Sequence, residues 1–161
     1  MNPLAQRLFD LAKARGAVIA TAESCTGGLI AGAITDLAGS SALFDRGFVT
    51  YSNAAKMAML GVTQTALDTY GAVSEQVARQ MAAGALNRSA ATMAVAVTGI
   101  AGPGGSDFKP EGRVWFGLAV QGARVLTEVV EFGPAGRAAV RAATVDHALG
   151  LLIAALDQRG P

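Results

Sequence analysis

The sequence predicts an α/β fold, a single domain built around a mixed β-sheet, and three patterns carry that expectation. Across residues 17–37 a short strand pattern passes through the tight turn AESCTGG into a helical pattern. Residues 94–98 form a short unbroken apolar run, as in a strand covered on both faces. Two further strand patterns, 114–120 and 125–132, flank Gln121-Gly122-Ala123 closely enough for a hairpin, which makes at least one pairing antiparallel.

The elements follow in order. Leu4, Leu8 and Leu11 recur at helical spacing and predict a first helix that ends at Gly16. A strand is expected at 17–21, then the turn, then a helix over 29–37 with the glycine pair in its first turn. Residues 43–51 (LFDRGFVTY) end in β-branched and aromatic side chains and predict a strand; Ser52 or Asn53 can then cap a helix over 54–60, stopped by Gly61. Residues 63–70 predict another short helix. Ser74 is the natural cap of a longer one through Leu86, with Val77, Met81 and Ala85 on one face. After the 94–98 strand comes the loop GIAGPGGSDFKPEG, then the hairpin. The last helix is expected to open near Pro134 and to turn Leu149, Leu152, Ile153 and Leu156 inward. With no repeat, linker or break in composition, one domain over 1–161 is expected.

Composition narrows the function. Alanine (34) and glycine (20) make up a third of the 161 residues; 52% are apolar and 16% charged, which excludes intrinsic disorder. Thirteen basic and twelve acidic residues are spread without blocks, so a broad nucleic-acid surface is not expected. A lone Cys25 and a lone His147 supply neither an intramolecular disulfide nor a Cys/His metal cluster. The N-terminal segment is amphipathic and carries Asp10 and Lys13 where a signal peptide is apolar, and no unbroken run of 18 apolar residues occurs. A cytoplasmic protein without metal, cofactor, membrane or nucleic-acid partner is the expectation.

Ser24 lies where a strand turns into a helix. Such a turn exposes a side chain and aims the backbone N–H groups of Thr26, Gly27 and Gly28 at one point, a geometry suited to an oxyanion or a phosphate. Equally, Ser24 can simply cap the helix while the glycines permit close packing. The string is neither a P-loop nor a G-x-S-x-G elbow. As a nucleophile, Ser24 needs a base, and His147 sits deep in the last helical pattern, where a helix-face or core role fits it better. Of the three lysines, Lys13, Lys56 and Lys109, Lys56 falls near the positive end of its helix dipole, which disfavours the ammonium form; burial would disfavour it further. A neutral lysine can serve a serine as base. Arg137 and Arg141 share a face at the start of the last helix with no acidic residue in its first turn, which suits a bound anion or, more plainly, two solvated arginines. The loop GIAGPGG follows a buried strand and lets a ligand approach the backbone closely, although it lacks dinucleotide-binding spacing.

Taken together, AESCTGGLIAGAITDLAGSSALFDRGFVTYSNAAKMAMLGV, GAVSEQVARQMAAGAL, AVAVTGIAGPGG and KPEGRVWFGLA closely resemble the CinA C-terminal domain family, from about Ala22 to beyond Arg141. The resemblance implies a three-layer α/β/α sandwich around the mixed sheet, nicotinamide mononucleotide as a small-molecule substrate, and amidase activity in the form that stands alone. It also implies a homodimer or higher homo-oligomer. By the same resemblance Ser24 is the nucleophile, Tyr51 and Lys56 of YSNAAK are its activating partners, Thr98, Gly99 and Gly102 line the site, and Arg137 meets the phosphate. Ala54 stands where the family often has Glu, and the middle of GPGGSDFKP departs from the usual loop, which leaves the part played by Lys109 open. Two rivals stand beside this: a thiol amidase using Cys25 with His147, and a nucleotide-binding module without turnover. A DNA-associated role finds no basic stripe to support it.

Overall fold

The structure, a computed structural model, describes residues 1–106 and 108–158; Asp107 of the glycine-rich loop and residues 159–161 of the expected domain lie outside the described residues. Helix ends follow from local chemistry. α1 (Pro3–Arg15) starts where the Asn2 side chain accepts from the Leu4 N–H, and it stops at Gly16 in the left-handed region. Ser52, Thr63 and Ser74 cap α3 (Asn53–Leu60), α4 (Gln64–Tyr70) and α5 (Glu75–Asn87) in the same way. α2 (Leu29–Thr35) begins one residue after Gly28 (φ 107°), so the glycine pair precedes the helix instead of forming its first turn. Positive φ at Gly136 likewise delays α6 (Arg137–Asp157) by three residues from the expected start at Pro134.

The strands β1 (Ile19–Glu23), β2 (Phe44–Val49), β3 (Met93–Gly99), β4 (Arg113–Val120) and β5 (Leu126–Glu131) form one sheet in the order β2-β1-β3-β4-β5. β1 is parallel to both β2 and β3, with Ala22 opposite Phe48 on one side and Ala96 on the other. β4 is antiparallel to β3 and to β5, so the sheet is mixed as the hairpin pattern required. Helices cover both faces. α1, α2 and α6 enclose one core with Ile19, Val95, Val97 and Phe116. α3, α4 and α5 enclose the other, where the sheet offers Ala20, Ala22, Ala94, Ala96 and Ala119.

Those alanines explain the composition, because they let α5 sit close to the sheet. A Cβ on Gly117 would lie 2.5 Å from the Ala78 carbonyl oxygen of α5, and one on Gly84 of α5 would lie 2.0 Å from the carbonyl oxygen of Leu60 at the end of α3. α6 has the length and mean hydropathy to cross a bilayer, yet Val140, Val145, Ala148, Leu149, Leu152, Ile153 and Leu156 are buried within the domain, as in a core helix.

After β1 the chain leaves to α2 on one face, and after the neighbouring β2 it leaves to α3 on the other. A crevice opens where adjacent parallel strands diverge in this way, at their carboxyl ends. Ser24 and Lys56 lie on its two sides.

Gly84→Ala is expected to lower stability by about 1–3 kcal/mol, because the new methyl meets backbone that cannot swing aside. Urea unfolding checks this; an unchanged midpoint would show that α3 and α5 can move apart freely.

Candidate active site

Ser24 leaves β1 with its N–H donated to the Val97 carbonyl (3.1 Å), so the neighbouring strand fixes the start of the turn. Lys56, in the first turn of α3, is 1% exposed. Its Nζ lies 2.9 Å from Ser24 Oγ and donates to the Thr50 carbonyl at 2.7 Å. Thr50 is held in turn by its own N–H, donated to the Glu23 carbonyl at 2.9 Å. Burial pulls the lysine pKa down from 10.5 to about 8. A neutral amine that donates one N–H to Thr50 keeps its lone pair for the serine proton.

Glu23, which no sequence motif above singles out, organises the turn. Its carboxylate is fully buried; Oε1 accepts from Thr26 Oγ1 (2.6 Å) and the Ile30 N–H (2.8 Å), and Oε2 accepts from the Ala31 N–H (3.0 Å). The available signal was a glycine at the cap position of α2, which has no side chain to satisfy the helix amides, with a carboxylate closing the preceding apolar strand. Of the three amides expected to converge, that of Gly27 is spent on the Ser24 carbonyl at 3.0 Å.

A cavity of about 190 Å³ brings together Ser24, Tyr51, Lys56, Thr98, Gly99 and Arg137, with Ala72 and Val73 on one wall. Thr98 is buried and donates to the Ala72 carbonyl (2.8 Å), fixing that wall from β3. Lys109 reaches from the glycine-rich loop to the carbonyls of Tyr70 (2.8 Å) and Val73 (2.6 Å) and fixes it from outside. Arg137 at the mouth donates to the Tyr51 hydroxyl and to the Gly102 carbonyl, both at 2.8 Å. Gly102 thus meets the site through Arg137 and does not line the cavity. Thr26, Gly27 and Gly28 build the turn behind Ser24, with Thr26 fully buried. Arg141 is also outside the cavity: its guanidinium donates to the carbonyls of Cys25 (3.1 Å) and Thr26 (3.3 Å), tying α6 to the turn.

Cys25 also borders the cavity, but the thiol alternative lacks its histidine there. Burial raises the Cys25 pKa to about 11, which keeps it a thiol at neutral pH. His147 lies ten residues along α6 from Arg137, about 15 Å at helical rise, where it pairs with Glu128 and packs on the Phe116 ring. Among the described residues no group of three or more His, Cys, Asp and Glu is placed to hold a metal ion.

Fold and site define an α/β domain that carries a lysine-paired serine at the divergence of two parallel strands. The profile of the CinA C-terminal domain matches residues 1–156, and the chain belongs to that family. Over 142 residues it is 62% identical to the nicotinamide-nucleotide amidohydrolase PncC of Enterobacter agglomerans, spanning 88% of this chain and 86% of that one. Over 150 residues it is 51% identical to the protein of the same name from Escherichia coli K12, spanning 92% and 90% of the two chains. Among solved structures it is similar to the competence/damage inducible protein CihA of Agrobacterium tumefaciens, with TM-score 0.92, 56% identity, and 96% and 94% of the two chains covered.

With its pKa at about 8 against 10.5, Lys56 penalises the folded state wherever it is protonated; the penalty is complete below pH 8 and is relieved as pH rises from there to 10.5. Lys56→Met is therefore expected to be more stable than the parent at pH 7, by on the order of 3 kcal/mol, with the gap narrowing by pH 10. Chemical denaturation of both proteins at the two pH values measures it, and a gap independent of pH would mean the amine is not desolvated.

Proposed function

We propose that this chain hydrolyses the carboxamide of nicotinamide mononucleotide to nicotinic acid mononucleotide and ammonia, with Ser24 as nucleophile and Lys56 as its base. The observation that carries the reading is the 2.9 Å contact between Ser24 Oγ and a buried Nζ. The amidohydrolase names of the Enterobacter and Escherichia relatives support the substrate. The cavity is smaller than the roughly 300–1,000 Å³ of sites that enclose a drug-sized ligand. It suits the pyridine carboxamide, with the ribose and phosphate extending outward to Arg137.

In the first step Ser24 Oγ bonds to the amide carbon while its proton passes to the Lys56 lone pair. The oxyanion is met by backbone amides of the Ser24 turn other than that of Gly27. As the tetrahedral intermediate collapses, the C–N bond breaks and Lys56 returns the proton to nitrogen, so ammonia leaves and an ester to Ser24 remains. Water then attacks this ester, Lys56 again taking and returning the proton, and the acid is released with Ser24 restored.

Lys56 touches Ser24 directly, so the transfer needs no relay through Tyr51. With its hydroxyl bonded to Arg137, Tyr51 serves to orient the guanidinium and the outer part of the substrate. The phosphate belongs at Arg137, since at the start of α2 the amides of Ile30 and Ala31 are already taken by Glu23 and that of Leu29 by the Thr26 carbonyl. Arg141, committed to the turn carbonyls, supports the nucleophile.

Ammonia release from nicotinamide mononucleotide by the purified chain is the direct test; binding without turnover would mean a nucleotide-binding module. Ser24→Ala is expected to abolish release while keeping binding, and Cys25→Ala to keep substantial activity. Lys56→Arg should be nearly as damaging as Lys56→Ala, because a guanidinium holds its proton at working pH. For the parent, kcat/KM should climb with pH and level off above about 8, where the amine is neutral. A flat profile from pH 6 to 9 would remove Lys56 as the base.

A second test addresses the phosphate. Nicotinamide riboside is expected to be a roughly ten- to hundredfold poorer substrate than the mononucleotide, the effect of losing one charge-assisted contact. Arg137→Ala should erase most of that preference by slowing the mononucleotide alone. Equal losses on both substrates would show that Arg137 supports the fold and does not read the phosphate.

A further inference from the structure

We infer that Glu23 is a positioning residue for the reaction, holding Ser24 and Lys56 in register through both its side chain and its main chain; this rests on Ser24 being the nucleophile. The side chain closes the nucleophile turn. From the last position of β1, the carboxylate binds the Thr26 hydroxyl and the N–H groups of Ile30 and Ala31, so the strand end is tied to the first turn of α2 across the segment that carries Ser24. Gly28, at the cap position, provides no side-chain bond, and Glu23 performs the capping from five residues upstream.

The main chain of the same residue reaches the other half of the pair. The Glu23 carbonyl accepts the Thr50 N–H, and the Thr50 carbonyl accepts the Lys56 amine. Displacing Glu23 therefore disturbs both sides of the 2.9 Å contact. Thr26, Ile30 and Ala31, which its carboxylate binds, belong to the turn and α2 and do not line the cavity, so its effect falls on the geometry of attack and leaves ground-state binding alone.

Glu23→Gln keeps the size but turns an amide NH2 toward a backbone N–H that needs an acceptor. Turnover of nicotinamide mononucleotide is measured alongside labelling of Ser24 by a fluorophosphonate, which forms the Ser24 O–P bond with loss of fluoride, and circular dichroism follows folding. The expected result is a folded variant whose KM stays within about threefold of the parent, while kcat and the labelling rate both fall at least about tenfold. A folded variant with unchanged kcat and labelling, or one altered in KM alone, overturns the inference. If Glu23→Gln does not fold, Thr26→Val removes one of the three bonds and keeps the shape; a severalfold fall in kcat and labelling at constant KM is expected, and no fall overturns the inference. The two readings separate cleanly. Slow labelling of the variant beside fast labelling of the parent upholds the role of Glu23 even where the mononucleotide is not turned over, whereas equal labelling with normal turnover removes Glu23 alone. A parent not labelled at Ser24 removes both.

Discussion

Burying the amine of Lys56 costs free energy, since its ammonium form surrenders water and receives one carbonyl and one hydroxyl in return. That cost sets the terms for the rest of the molecule. The amine must stay packed away from bulk solvent to keep its pKa at about 8, so the walls around it are fixed from several directions. Thr98 and Lys109 hold the backbone of Ala72 and Val73, and Thr50, just past the end of β2, supplies the carbonyl. The remainder of the domain acts as a support for one destabilised amine.

The sheet order gives that amine its partner. Because the chain departs to opposite faces after β1 and β2, the residue following β1 and the first turn of the helix after β2 face each other across the crevice. Parallel pairing alone brings the strand ends together. The divergence of their continuations leaves room between them for a ligand.

Much of this was legible from residue types. Capping serines, stop glycines and the hairpin yielded the elements and the mixed sheet, and the turn around Ser24 and the helix start at Lys56 each suggested chemistry on its own. Their pairing was not legible from spacing, because residues 24 and 56 meet only through the order of the strands; the family resemblance supplied that link. Arg137 and Arg141 show a different limit. Four-residue spacing placed both on one helix face, but one turn along α6 the nearest acceptors are the carbonyls of Cys25 and Thr26, and Arg141 is drawn to them. Glu23 was hidden because its meaning depends on a turn that brings residues 23, 26, 30 and 31 together. The exact starts of α2 and α6 were hidden as well, since a glycine does not announce the sign of its φ.

The part taken by α6 bears on how the domain comes into being. Ser24 and Lys56 are made before α6, and the guanidinium that clamps the serine turn and the one at the cavity mouth are both contributed by that helix. Domains form as their segments emerge, N-terminus first. A nascent chain on the ribosome thus carries the serine and lysine for more than eighty residues of elongation before Arg137 and Arg141 exist to finish their surroundings. The surroundings of the pair are completed only with α6, when the core beneath it is also being closed.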